Sequence, residues 1–317
     1  MPSATVVICT HNRAALVVRA VEQALAEARA SDGEVLVVDN ASTDETPALL
    51  ASLARRHAPL LRVVREPQLG LSVARNRGLI EARGELAAFL DDDAVPRPGW
   101  LRALRAPYRE PEVAAVGGRI RLHFPTPPPA WLTPPLHAAF SAFDAGDEPR
   151  KLRYGHDDYP YGANVSFRVA RARATGGFCT RLGPLGRVEL VHDETDLCYR
   201  LEHEGGEIRY APDAVVDHWV LPERLAPERL LQRYELSGRS AAIFILRNRG
   251  RLRALWRIRW HYARHLAVAP YVPREPIDPA KLVRECRRRE ALGYLAGLAR
   301  GFPRLRALRD GRGGRPA

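Results

Sequence analysis

Four short apolar runs alternate with amphipathic stretches in the first third of this 317-residue chain. Each run is predicted to be a β-strand: Thr5–Cys9, Val35–Val38, Leu61–Val64 and Leu86–Leu90. Between them, Ala14–Ala30 has apolar residues at helical spacing, Thr46–Pro47 is typical of a helix start, and Leu71–Ala82 is a predicted helix ended by Gly84. This strand–helix order predicts an α/β fold, with a mostly parallel sheet and helices on both faces.

The pattern continues beyond one interruption. The proline-rich stretch Pro125–Pro135 cannot be regular structure, and it is either a surface connection or a functional segment, namely a mobile flap or an acceptor-side loop. After it we predict a strand at Tyr161–Arg168 and a helix at Asp193–Glu204, which ends at a glycine pair. Two further short strands are predicted, at Glu207–Tyr210 and Ala214–His218.

Polar clusters follow the four predicted strands of the first third. These clusters are Thr10–Arg13, Asp39–Ser42, Arg65–Ser72 and Asp91–Asp93. Because parallel strands open on one rim of a sheet, the polar groups should converge there and suit a nucleotide. Asp39 could accept a hydrogen bond from a base, Asn40 and Ser42 could bond the ribose, and the carboxylates of Asp91–Asp93 could hold a divalent cation on a diphosphate. The alternative reading of three adjacent acids is a solvated turn.

Six segments, in this order, resemble the GT-A glycosyltransferases, and specifically the inverting family 2. They are Val6–Arg13, Val37–Thr46, Gly70–Leu79, Phe89–Pro96, Gly162–Arg168 and Asp193–Leu201. The resemblance covers most of residues 5–220. It implies a GT-A fold, which is Rossmann-like with a mostly parallel sheet, and a nucleotide-sugar donor.

The resemblance also implies roles for the residues of the rim. Contacts to the base and ribose would come from Thr10, His11, Asn12, Arg13 and Asp39. Asp91 and Asp93 would be the outer acids of the DxD motif: Asp93 is the firmest metal ligand, and Asp91 leans toward ribose or metal. Asp92 would support the site or contact the donor sugar.

Two further donor contacts, Arg75 and Asn76, are implied on the helix after the third strand. For Arg75 a structural ion pair is the open alternative.

The catalytic base is expected within Asp193–Glu194. The family usually has Glu-Asp here, whereas this chain has Asp-Glu, so the assignment between the two stays open. We favour Glu194 because it occupies the position of the usual base, and Asp193 is second. An acceptor hydroxyl must lose its proton as it attacks, and a carboxylate with a raised pKa suits that task. The alternative is that both acids only favour the positive end of the helix dipole.

A late histidine, His218, could complete the metal site. Some GT-A enzymes have a histidine ligand after a late strand, and Mn²⁺ accepts imidazole beside carboxylates. An isolated histidine is also often a structural residue. The expected cofactor is Mn²⁺ or Mg²⁺, with a UDP-sugar or dTDP-sugar as donor and a GDP-sugar less favoured.

The charge is uneven along the chain. Residues 247–317 have 19 Lys+Arg and 5 Asp+Glu, while the whole chain has a net charge of +12. We expect a catalytic domain at 1–221, with a nucleotide-sugar half at about 1–118 and an acceptor half at about 119–221. A basic helical extension would follow at 222–317, with a disordered end at Gly311–Ala317. This extension could lie on an anionic membrane or cap the catalytic domain with solvated arginines, and nucleic-acid binding is disfavoured.

The expected function is metal-dependent, inverting transfer of a sugar to a hydroxyl of a saccharide or lipid-linked saccharide, in cell-surface polysaccharide biosynthesis. A nucleotidyltransferase would need a glycine-rich loop with a lysine after the first strand, whereas this chain has Thr10–Arg13 there. A non-catalytic nucleotide-sugar-binding or membrane-scaffold protein is the other alternative.

The expected location is the cytoplasm, either free or peripheral on the inner face of the membrane. The sequence has four dispersed cysteines, no visible signal peptide and no long apolar window, which favour this location.

Overall fold

The computed structural model describes residues 1, 3–156, 158–185 and 188–309 of the chain. The predicted disordered end, Gly311–Ala317, lies outside the described residues. The chain divides into two compact units. The sheet unit comprises Met1–Pro127, Phe140–Gly186 and Asp193–Leu221, and the helical unit comprises Pro128–Ala139, Arg187–His192 and Pro222–Ala317.

The sheet unit has the α/β fold that the sequence predicts. Its strands are β1 Ala4–Thr10, β2 Gly33–Asn40, β3 Leu61–Glu66, β4 Leu86–Asp91, β5 Ala94–Pro96, β6 Val113–His123, β7 Arg150–Leu152, β8 Asn164–Arg168 and β9 Pro184–Leu185; the short strand β10, Val188–Glu189, lies in the helical unit, and β11, Glu207–Trp219, is again in the sheet unit. Its helices are α1 Ala14–Ala30, α2 Thr46–His57, α3 Leu71–Glu81, α4 Trp100–Arg105, α5 Val169–Ala174 and α6 Asp193–His203, with 3₁₀ turns at Ala106–Arg109 and, across the boundary between the units, Pro134–Phe140.

The main sheet has the strand order β3-β2-β1-β4-β8-β6-β11-β5, and β7 pairs with the other part of β11. The first four strands are parallel, and β8 runs antiparallel to both of its neighbours. β1, β2 and β4 are almost entirely buried because helices cover the sheet, as their near-continuous apolar runs indicated. A mostly parallel sheet is therefore confirmed, with an antiparallel insertion at β8.

Several predicted boundaries need correction. The two short strands predicted at Glu207–Tyr210 and Ala214–His218 are one strand, β11, whose pairing register with β6 shifts between Ala211 and Val215. The strand predicted from Tyr161 begins only at Asn164. β6 was not predicted, and it runs across the division expected near residue 118.

The helical unit contains α7 Pro227–Asn248, α8 Gly250–Arg257, α9 Ala263–Leu266 and α10 Pro279–Arg309, with a 3₁₀ turn at Pro222–Arg224 and a π-helical turn at Ile258–Tyr262. α7 and α10 pack closely because Gly238 and Gly293 each face the backbone of the opposite helix. No helix among the described residues is long and apolar enough to cross a bilayer.

Asn164 fixes the centre of the sheet where β8 enters it. Its amide donates to the carbonyl oxygens of Arg119 (3.0 Å) and Ala214 (2.8 Å), and its Oδ1 accepts from Trp100 Nε1 at 2.8 Å. The side chain is fully buried. One amide therefore ties β6, β11 and α4 together.

Replacing Asn164 by alanine should lower the free energy of unfolding by on the order of 3 kcal/mol, because an indole N–H and two carbonyls lose partners inside the core. Urea unfolding measures this change. The exposed Gln68 is the control, and Gln68→Ala should shift the midpoint little. Equal shifts for the two variants would contradict the role assigned to Asn164.

Candidate functional site

The carboxyl ends of β1, β2 and β4 meet at one rim of the sheet. Thr10 lies opposite Asp39 across the β1–β2 pair, and Cys9 lies opposite Asp91 across the β1–β4 pair. Parallel pairing thus brings together polar clusters that are far apart in sequence, as an open α/β sheet requires.

The turn after β1 is held against the turn after β2. The amide of Asn12 donates to Ser42 Oγ at 3.0 Å, and Asn12 Oδ1 accepts from the amide of Thr43 at 2.8 Å. The ring of His11 lies 2.7 Å from the carbonyl oxygen of Asn40. Asn12 also adopts a left-handed backbone conformation (φ 51°), which asparagine tolerates better than most residues. These bonds fix the shape of the rim.

Asn40 and Asp39 have different surroundings. The amide of Asn40 donates to the carbonyl of Gln68 at 2.7 Å and its Oδ1 accepts from Gly70 N at 2.8 Å, so Asn40 positions the loop before α3. Asp39 is buried, and its Oδ1 accepts from the amide of Ser42 at 3.2 Å. Asp39 is therefore the more available of the two for a ligand contact.

The three consecutive aspartates have three different environments. Asp92 is buried and accepts from Thr10 Oγ1 at 2.7 Å. Arg13 donates to Asp93 at 3.0 Å and lies 3.6 Å from Asp92. Burial raises the pKa of Asp92 to about 7, against the opposing charge of Arg13. Asp92 therefore supports the rim through Thr10.

Asp91, Asp93 and His218 form a cluster that fits a divalent cation. Each offers one ligand atom, and these atoms lie within 4.8 Å of one another. β11 brings His218 to the rim, where its Nε2 is 3.0 Å from an oxygen of Asp93. The other ring nitrogen is buried and has no hydrogen-bond partner among the described residues. Two carboxylates and an imidazole suit Mn²⁺, and carboxylates alone also suit Mg²⁺.

Arg75 connects this cluster to the acids at the start of α6. Its guanidinium donates to Asp193 at 2.8 Å and to Asp91 at 3.2 Å, and it lies 3.7 Å from Glu194. The side chain is buried, and Gly162 leaves the room that the guanidinium fills. Arg75 thus forms the ion pair that was the alternative to a donor contact. Asn76 points elsewhere and bonds the backbone of Phe178.

The two acids of α6 have opposite pKa shifts. Burial alone would raise the pKa of Asp193, but Arg75 and Ser72 stabilise the carboxylate and lower it. The pKa of Glu194 lies well above its ordinary value, first because of burial and then because of the charge of Asp193. Glu194 is therefore the acid of this pair whose pKa is raised, which is the direction that suits a general base.

Ser72 is a site residue that the sequence did not single out. Its hydroxyl lies 3.1 Å from Asp193 Oδ2 and donates to the carbonyl of Leu182 at 2.7 Å. The sequence signals were its place at the end of the polar cluster Arg65–Ser72 and in the segment Gly70–Leu79, but neither assigned it a role.

Comparison with known sequences identifies the family. The model of the family described as "Glycosyl transferase family 2" matches residues 5–171, more than half of the chain. A curated relative, the pre-mycofactocin glycosyltransferase of Mycobacterium tuberculosis, is 32% identical over 187 residues, which is 58% of this chain but 37% of the relative. The succinoglycan biosynthesis protein ExoM of Rhizobium meliloti is 28% identical over 71% of this chain and 69% of its own length.

Solved structures share the fold. A mannosyltransferase of Pyrobaculum calidifontis, PcManGT, solved in complex with GDP-Man and Mn²⁺, has a TM-score of 0.55 and 22% identity, over 98% of this chain and 79% of that one. GalNAc-T7, solved with UDP, GalNAc and Mn²⁺, also has a TM-score of 0.55, at 16% identity over 96% of this chain and 58% of that one. The GT-A fold expected from the sequence is thereby confirmed.

Replacing Arg75 by methionine should cost about 3–5 kcal/mol of stability near neutral pH, because Asp91 and Asp193 lose their shared counter-ion. Arg75 keeps the pKa of Asp193 low, so the loss should shrink as acidification protonates the unpaired carboxylates. Urea unfolding across a pH series measures both effects.

Arg77 is the matched control, because it lies two positions along the same helix and pairs with Glu81 at the surface. Arg77→Met should cost less than about 0.5 kcal/mol. A similar loss for the two variants would contradict the bridging role of Arg75.

Proposed function

Because the chain belongs to glycosyl transferase family 2, we propose that it is a metal-dependent, inverting glycosyltransferase. It transfers a sugar from a nucleotide-diphosphate sugar to a hydroxyl of a saccharide or lipid-linked saccharide. The observation that carries this proposal is that one rim holds both the Asp91–Asp93–His218 cluster and Glu194, which Arg75 links.

The donor site is assigned to the rim formed by β1, β2 and β4. In this proposal Asp39 accepts a hydrogen bond from the base of the nucleotide, and the turns Thr10–Arg13 and Asn40–Ser42 contact the ribose. Asp93, Asp91 and His218 would hold Mn²⁺ or Mg²⁺, which when bound supplies positive charge for the departing diphosphate. Two structural neighbours with Mn²⁺ contain different nucleotides, GDP-Man in one and UDP in the other. We retain UDP or dTDP as the expected nucleotide of the donor, and a binding measurement is to decide between them.

Glu194 is the proposed base. Its carboxylate takes the proton of the acceptor hydroxyl while the oxygen attacks the anomeric carbon from the face opposite the leaving diphosphate. Asp193 is a positioning residue, because Arg75 and Ser72 occupy its carboxylate and keep its pKa low. A single base on one side and a leaving group on the other give inversion.

The acceptor is proposed to be a growing cell-surface polysaccharide or its lipid-linked precursor. The name of ExoM supports a polysaccharide, since that relative belongs to succinoglycan biosynthesis. We place the reaction in the cytoplasm, because all four cysteines are buried free thiols, which suits a reducing compartment. A lipid-linked acceptor would bring the enzyme to the inner face of the membrane.

Calorimetric titration of UDP, dTDP and GDP should show binding of one diphosphate that requires Mn²⁺. Asp93→Ala should abolish this metal-dependent binding, because it removes a ligand of the cluster. Asp217→Ala is the control, since Asp217 neighbours His218 but pairs with Arg97 at the surface. If wild type binds none of the three with metal present, the donor site is wrong and the non-catalytic scaffold alternative is favoured.

Glu194→Gln should reduce release of the nucleoside diphosphate from the donor at least about a hundredfold, while nucleotide binding persists. The raised pKa of Glu194 predicts that wild-type kcat rises with pH through a value well above 4.5. The control is Glu204→Gln, just beyond the end of the same helix, which should keep the wild-type rate of diphosphate release and the wild-type dependence of kcat on pH. Full turnover by Glu194→Gln would move the base to Asp193 or elsewhere.

The same pKa shift affects stability with a definite sign. Because the folded state holds the Glu194 proton to higher pH than the unfolded state, the free energy of unfolding should fall as pH rises through that window. In Glu194→Gln this part of the decrease should disappear. Thermal unfolding across the pH range therefore separates an inactive but folded variant from a misfolded one.

A further inference from the structure

A run of large apolar side chains is exposed on α8 and the π-helical turn that follows it. Leu252 is 85% exposed, Trp256 57% and Trp260 63%, and Leu255 is also exposed. These positions follow the i, i+3, i+4, i+8 spacing of one helix face. The two indole rings lie beside each other, with centroids 5.8 Å apart. We name this surface, Leu252, Leu255, Trp256 and Trp260, the tryptophan face.

The opposite side of the same segment is anchored to α10. Ala254 and Tyr262 are buried; the ring of Tyr262 stacks on Tyr294 at 4.5 Å, and the hydroxyl of Tyr294 donates to the carbonyl of Ala254 at 3.1 Å. The segment therefore already has a packed inner side. The tryptophan face is a second apolar side that points to solvent.

Positive charge surrounds the tryptophan face. Residues 249–274 contain seven arginines and no acidic residue. By helical spacing, Arg251 and Arg253 lie on opposite flanks of the face, and both are exposed. Arg259 lies on the face itself, with its guanidinium 5.8 Å from the ring centroid of Trp260. An apolar centre with a cationic border is complementary to a surface with an apolar interior and anionic head groups.

We propose that the tryptophan face docks the protein on the surface of an anionic lipid bilayer. Tryptophan is favoured at the depth of the head groups, where its ring is apolar and its N–H stays hydrated. Arginines at the border reach anionic phosphates at the same depth. A nucleic-acid surface matches these observations less well, because it would meet the arginines but leave Leu252 and Leu255 without an apolar partner. This docking is independent of sugar transfer.

Co-sedimentation with vesicles tests the proposal. The 317-residue protein should bind vesicles that mix phosphatidylglycerol with phosphatidylcholine and should bind vesicles of phosphatidylcholine alone only weakly. Its binding to the mixed vesicles should weaken as the salt concentration increases. The double variant Trp256→Ser/Trp260→Ser should lose at least about tenfold in partition coefficient. Replacing Arg253 or Arg259 by glutamine should lower the partition coefficient about fivefold for each arginine. The blue shift of tryptophan fluorescence on vesicle binding should disappear in the double tryptophan variant.

Three controls make the result specific. Ile80→Ser removes an isolated exposed apolar residue from the sheet unit and should leave vesicle binding unchanged. Asp93→Ala should bind vesicles like wild type, so failure of the donor site and failure of docking can be told apart. Melting temperatures show whether the tryptophan and arginine variants remain folded.

Other outcomes would overturn the proposal. The tryptophan face is not a membrane surface if wild type binds neither kind of vesicle. The same conclusion follows if the tryptophan variant is folded and binds vesicles as tightly as wild type. If sedimentation without lipid shows a dimer for wild type and a monomer for the tryptophan variant, the tryptophan face binds a second copy of the chain instead of a bilayer. Binding to RNA that depends on the arginines, without binding to vesicles, would make the surface a polyanion site.

Discussion

The ion pairs of one buried arginine are the interaction on which the candidate site depends. Arg75 bonds Asp91 at the end of β4 and Asp193 at the start of α6, two positions about a hundred residues apart in the chain. Without a cation between them, these carboxylates would repel one another in a poorly hydrated place. The guanidinium therefore joins the proposed metal ligand Asp91 to the acids of α6 that include the proposed base. It also separates the pKa values of Asp193 and Glu194, because only Asp193 receives its direct bond.

The rim has more acidic side chains than basic ones. Arg13 pairs with Asp92 and Asp93, and Arg75 pairs with Asp91, Asp193 and Glu194. Part of the excess is relieved because burial raises the pKa values of Asp92 and Glu194. The rest lies at Asp91 and Asp93, where His218 adds an imidazole nitrogen as a further ligand atom. A divalent cation at that cluster would complete the charge balance that the two arginines begin, which is why we tie donor binding to metal.

The sequence predicts the rim well because its signals are local. Apolar runs that end in polar clusters located β1, β2 and β4, and parallel pairing followed from the helices between them. β6 was missed because Gly117 and Gly118 interrupt its pattern, and only the structure shows that Gly118 passes against Ala214 and Asn164. The partners of Arg75 could not be read either, because they depend on how α3 packs against α6. Those partners decide which of Asp193 and Glu194 has the higher pKa, so the sequence alone could not decide which of the two is the base.

The arrangement of charge in the helical unit explains why its apolar face should select a lipid of one sign. On α10, Glu290 pairs with Arg287 and Glu285 pairs with Arg288 and Arg289, so these three arginines have acidic partners on their own helix. Residues 249–274 contain no acid that could do the same. Positive charge is concentrated beside Trp256 and Trp260, where apolar area faces water. Apolar area supplies attraction to any bilayer, whereas arginines at its border add attraction to anionic phosphates. The two together give preference for an anionic surface.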